Sequence, residues 1–205
     1  MPGRLFLTTP LAALAEELGV PPGALADEPP RANISPGQQI VTFNGTGLAH
    51  MRWGIIPVGR VNARGRPVME TLINARSETV FDKSAFAGTG RAVVPVNGWY
   101  EWTGEKRRKT AWRIAPKDGG YLYFAAITDL WQAPGGLQVP QVATLTCPPN
   151  ADVAPVHHRM GALLEREMIG TWLTGDAQDV KPLLQPWPEG RLLIEKASGV
   201  DWTGP

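Results

Sequence analysis

Short runs of alternating apolar and polar residues, closed off by Gly, Pro, Asn or Asp, dominate the chain. The runs fall at 39–43, 47–53, 91–96, 98–102, 110–114, 121–127, 140–146 and 191–197, and each reads as a strand with one buried face. Helical spacing is rarer. Leu11, Leu14 and Leu18 follow Thr9-Pro10 and stop at Gly19, which predicts a short helix with a Thr9 cap, a proline in its first turn and a terminating glycine. Further helical patterns cover 75–87, 163–173 and 176–185, while the proline- and glycine-rich stretch 20–38 reads as an ordered loop. Strands and helices do not alternate regularly, so the pattern predicts an α+β fold with curled sheets rather than a doubly wound one.

Residues 1–205 suit one domain. Lys plus Arg number 20 against 19 Asp plus Glu, so there is no global basic field and any nucleic-acid contact must be local. A single cysteine, Cys147, excludes an internal disulfide and reads as a small core residue. The chain has no apolar signal core and no run near the ~20 apolar residues that span a bilayer. A soluble, cytoplasmic monomer without a membrane partner is expected.

Candidate chemistry sits in four polar islands. In Val96-Asn97-Gly98-Trp99-Tyr100-Glu101-Trp102 the strand period puts Glu101 beside Trp99, where an acid needs a partner or a raised pKa. That suits proton transfer, and equally a structural Glu held by a buried Arg. Asn74, in Asn74-Ala75-Arg76-Ser77-Glu78-Thr79, is either a helix N-cap or a substrate-orienting amide, and Arg76 either holds a phosphate or pairs Glu78. His157 and His158 point apart on an extended backbone, so one of them faces a site or both are ordinary hydrogen-bonded residues. Lys106, Arg107, Arg108 and Lys109 occupy a predicted hairpin turn, as a phosphate-neutralising patch or a solvated one. His50, His157, His158 and Cys147 lack a zinc spacing, so no metal or other cofactor is expected. The eight tryptophans are read as core before base-stacking platforms.

Taken in order, Gly3-Arg4, Asn33-Ile34-Ser35-Pro36, Trp53-Gly54-Ile55-Ile56-Pro57, Asn74 to Thr79, Gly98 to Trp102 and His157-His158-Arg159-Met160 resemble the SRAP (SOS-response-associated peptidase) family over residues 1 to about 175. The resemblance implies mixed sheets curled into a barrel-like core with peripheral helices. It also implies recognition of abasic sites in single-stranded or junction DNA and a covalent bond to the open-chain sugar aldehyde. By motif, Asn74 would hold the reacting terminus, Glu101 would shuttle protons, His157 would assist ring opening and crosslink reversal, and Arg4, Arg76 and Arg159 would contact phosphates.

The family closes a thiazolidine with the amine and thiol of a cysteine exposed by loss of the initiator Met, and here the second residue is Pro2. Pro2 offers nitrogen without sulfur, so the stable crosslink is not expected. Loss of Met1 would free a secondary amine able to form an iminium and, with Glu101 or His157 as base, promote β-elimination. The alternative is a non-catalytic binder of damaged or single-stranded DNA. Two departures favour it: Val58-Gly59 stands where relatives carry tryptophan, and Gly161 replaces the family's proline. General proteolysis finds no nucleophile, base and oxyanion arrangement, Cys147 included.

Overall fold

The strand-period runs form two sheets, and the chain crosses between them several times. The computed structural model describes residues 2–57, 64, 71–83, 86, 88–105, 108–132 and 135–204. In chain order the strands are β1 (Arg4–Leu7), β2 (Arg31–Ile34), β3 (Gln39–Phe43), β4 (Leu48–Trp53), β5 (Asn74–Arg76), β6 (Gly90–Val96), β7 (Gly98–Thr103), β8 (Thr110–Pro116), β9 (Leu122–Gln132), β10 (Gln138–Cys147), β11 (Met160–Gly161), β12 (Leu163–Leu164) and β13 (Leu192–Lys196). The helices are α1 (Leu11–Leu18), α2 (Ile169–Thr174) and α3 (Ala177–Val180).

β10, β4, β3, β6 and β9 pair in that order, and β9 pairs back onto β10, closing a five-stranded barrel. All its ladders are antiparallel except β4 on β10, where Gln141 and Val142 face Arg52 and Trp53. The barrel is therefore mixed. Along the same edge of β10, β5 takes over where β4 leaves, with Thr144 opposite Asn74 and Thr146 opposite Arg76. The second sheet runs β13-β8-β7-β1-β2.

Asn97 alone separates β6 of the barrel from β7 of the second sheet. Its side-chain oxygen accepts from the backbone N–H of Thr8 and Thr9 and its amide donates to the Thr9 hydroxyl, so the crossover is tied to the end of β1. The next residue must be glycine: Gly98 has φ +157°, and a Cβ there would lie 2.1 Å from the Ile114 carbonyl and 2.4 Å from the Phe6 ring. Beyond it the alternation holds as expected. Trp99 and Glu101 turn into the interior, where Trp99 meets Phe124 edge-on at 5.6 Å, while Tyr100 and Trp102 pack with Phe6 and Trp202 on the opposite face. Trp53, Trp99 and Trp172 are fully buried, which bears out the core reading for these three.

Several local expectations are corrected. The first helix begins at Leu11 with Pro10 as its cap residue and no side-chain cap, so Thr9 does not cap it; Thr9 is bonded to Asn97 instead. Gly19 ends it in the left-handed conformation as expected. The loop over 20–38 contains β2, recruited by β1. Residues 75–87 hold no α-helix among those described: the segment opens as β5 and continues in turns, with Phe86 in 3-10 conformation, because pairing with β10 outweighs local helical spacing. The pattern over 163–173 splits into β12 and α2, and that over 176–185 shortens to α3 and a 3-10 turn.

Candidate active site

The site lies where the start of β1 meets the ends of β5 and β7. Arg4 faces Tyr100 in the β1–β7 register, so the residues ahead of it run toward Glu101. Pro2 is buried, and its carbonyl accepts a 2.8 Å hydrogen bond from Asn74 Nδ2. Asn74 is a strand residue and not a helix cap. Its Oδ1 accepts from the Thr144 hydroxyl at 2.5 Å, so the amide bridges β10 and the terminal segment. Met1 lies outside the described residues.

Glu101 is 4% exposed. Burial raises its pKa above the ordinary carboxylate range. His157 is half-buried. Burial lowers its pKa, and a backbone bond to Arg159 works in the other direction. Both groups are thus biased toward their neutral forms. The Arg159 N–H donates to His157 Nδ1 at 2.9 Å, which puts the proton of the neutral ring on Nε2. The Arg159 carbonyl, 3.1 Å from the same nitrogen, is placed to accept from it once the ring is protonated. His158 is exposed and, against the expectation that the two rings point apart, stacks on His157 with centroids 4.3 Å apart.

The arginines separate into different environments. Arg159 is 8% exposed, grips both carboxylate oxygens of Glu78 and donates to the Thr146 carbonyl at 2.5 Å. That bond is the largest cause holding the Glu78 carboxyl below its ordinary pKa. Glu78 therefore pairs with Arg159, and Arg76 remains exposed at the end of β5. Arg4 donates to Asn33 Oδ1 at 2.8 Å on the face carrying Tyr100. Arg108 and Lys109 are exposed in the β7–β8 connection, a hairpin as expected; Lys106, Arg107, Val58 and Gly59 lie outside the described residues.

Cys147 is fully buried, donates weakly to the Gly161 carbonyl, and has its thiol pushed up to about 12 by burial. It belongs to the core. Gly161 has a steric reason: a Cβ there would lie 2.1 Å from the Phe124 ring. Sequence reasoning missed Thr144 and Thr146 as partners of the site, and it offered Glu78 as a partner for Arg76 rather than for Arg159. The available signal was a pair of threonines in the otherwise apolar run of β10, both fully buried.

The chain is similar to known proteins over most of its length. The abasic site processing protein YoqW of Bacillus subtilis is 30% identical over 169 residues, covering 77% of this chain and 74% of that protein. YoaM of the same organism, also called an abasic site processing protein, is 29% identical over 152 residues, covering 70% and 66%. A crystal structure of a protein from Bacteroides thetaiotaomicron shares the fold, with a TM-score of 0.82 and 20% identity over 96% of this chain and 92% of that one. The family model described as SOS response associated peptidase (SRAP) matches residues 1–199. A match of that length, carried on the same fold, makes this chain a member of the SRAP family.

Proposed function

We propose that this protein processes abasic sites in single-stranded or junction DNA and that its reacting group is the ring nitrogen of Pro2, released by removal of Met1. The observation that carries the reading is the hydrogen bond from Asn74 to the Pro2 carbonyl, which ties down the segment ahead of Arg4, whose register partner Tyr100 precedes the buried acid Glu101. While Met1 is attached, the Pro2 nitrogen is an amide and does not react. Once free, it is a secondary amine that adds to C1′ of the open-chain sugar, giving a carbinolamine that loses water to form a cationic iminium. Glu101, as carboxylate, removes the C2′ proton, and the electron pair expels the 3′ phosphate from C3′. Water then hydrolyses the iminium and returns the amine. His157 Nε2–H donates to the sugar ring oxygen as the aldehyde opens.

Arg4 and Arg76, with Lys106, Arg107, Arg108 and Lys109, contact phosphates. Arg159, committed to Glu78, acts chiefly through its backbone on His157. The family's peptidase name is met by removal of Met1 and not by cleavage of other proteins.

Intact mass of the purified protein, followed by incubation with an abasic oligonucleotide, tests the reading. Protein lacking Met1 is expected to cleave the strand at the abasic site, and protein with Met1 retained is expected to bind without cleaving. Binding without cleavage by the Met1-less form assigns the chain to the non-catalytic alternative.

A further inference from the structure

We infer that Thr144 is a positioning residue for the reaction proposed above: its hydroxyl fixes the Asn74 amide in the orientation that holds Pro2. The inference rests on that proposed reaction for its kinetic readout but on geometry for its substance. Thr144 is fully buried in β10, between β9 on one side, where it faces Ala126, and β5 on the other, where it faces Asn74. A valine would fill that position equally well, yet the residue carries a hydroxyl in a strand whose neighbours are Val142, Ala143 and Leu145.

Two carbonyl-type acceptors surround the hydroxyl: Asn74 Oδ1 at 2.5 Å and the Ile73 carbonyl at 3.4 Å. Its one proton goes to the nearer. With Oδ1 so occupied, Nδ2 must face the Pro2 carbonyl; the flipped amide would bring two oxygens to 2.8 Å of each other. The result is a chain in which Thr144 donates to Asn74 and Asn74 donates to Pro2, each bond polarising the next. Its root is a strand paired on both edges, so the chain transmits barrel rigidity to a terminus that has no ladder of its own. The Pro2 nitrogen lies two bonds from the held carbonyl carbon, and the pyrrolidine ring removes rotation about the N–Cα bond, leaving the Cα–C torsion as the one rotation between them. Orienting the carbonyl therefore narrows where the attacking nitrogen can point.

A double-mutant cycle tests this. Thr144→Val is expected to slow adduct formation with abasic single-stranded DNA about tenfold, the loss of one buried hydrogen bond, while leaving affinity for intact single-stranded DNA within about twofold. Thr144→Ser should restore the rate. In an Asn74→Leu background, Thr144→Val should change nothing further, because its route of action is gone. Equal slowing in both backgrounds, or no slowing in the parent, overturns the inference. The Asn74 side-chain amide, followed by NMR hydrogen exchange, decides the matter independently of reaction: its protection should fall about tenfold in Thr144→Val and persist in Thr144→Ser. Unchanged protection in Thr144→Val overturns the inference even if the parent forms no adduct. If Thr144→Val does not fold, Thr144→Cys replaces it, with a rate between those of parent and Asn74→Leu and with Asn74 amide protection below the parent's; parent-like values there overturn the inference too.

Discussion

At the scale of single residues, Glu101 is the group whose protonation connects stability to chemistry. Its folded pKa lies above its unfolded one, so the neutral acid is favoured by folding. The contribution is complete below the ordinary carboxylate value and is lost as pH rises through the folded pKa. Glu101→Gln should therefore raise the melting temperature at pH 8 relative to the parent, with the gap closing toward pH 4, as read by a calorimetric pH series. The same substitution should suppress strand cleavage far more than DNA affinity, and equal cleavage rates in mutant and parent would remove the proton role. His157 behaves oppositely: its lowered pKa makes the folded state lose stability as pH falls below the ordinary imidazole range. The identity of these groups was legible in the motifs, because Glu101 and Asn74 stand in family order. Their connections were not. That Arg159 is gripped by Glu78, and that Asn74 leans on Thr144, depends on β5 adding to β10 across 70 residues of chain, which no local pattern encodes.

Among the elements, strands were easier to read than helices. Period-two alternation is imposed by a sheet with one buried face, so β3 and β7 match their predicted spans to within a residue. The segments that went astray are short, and short segments take their conformation from a partner. Asn74–Arg76 is helical in spacing yet becomes strand because β10 presents an unfilled edge beyond β4, and Leu163–Leu164 is drawn onto β9 in the same way. The junctions carry sharper predictions. Gly161→Pro, which restores the family's residue, should destabilise the protein by about 1–3 kcal/mol in urea titration, since the added carbons meet the Phe124 ring. Asn97→Ala should cost about 1–3 kcal/mol by leaving the Thr8 and Thr9 amides without their acceptor, and it should loosen β1 and with it the terminal segment.

For the molecule as a whole, the balanced charge predicts DNA binding that is local and salt-sensitive rather than driven by a global field. Each phosphate contact to a single strand contributes about −0.7 to the slope of log affinity against log salt, so Arg76→Ala should flatten that slope by about 0.7. An unchanged slope would take Arg76 out of the DNA path. The proposed reaction needs a terminus held in place, and the architecture holds it. β1 is clamped between β2 and β7, α1 packs its Leu11, Leu14 and Leu18 face into the core, and Asn97 ties the end of β1 to the barrel crossover. Pro2 is thereby delivered to Asn74 by a rigid body rather than by a tail. The most direct measurement is borohydride trapping of the Met1-less protein on abasic single-stranded DNA, with the modified residue mapped by peptide mass spectrometry. A reductant-dependent adduct on the Pro2 nitrogen is the predicted result. No adduct under conditions that preserve DNA binding, or an adduct mapped to any other residue, would contradict it.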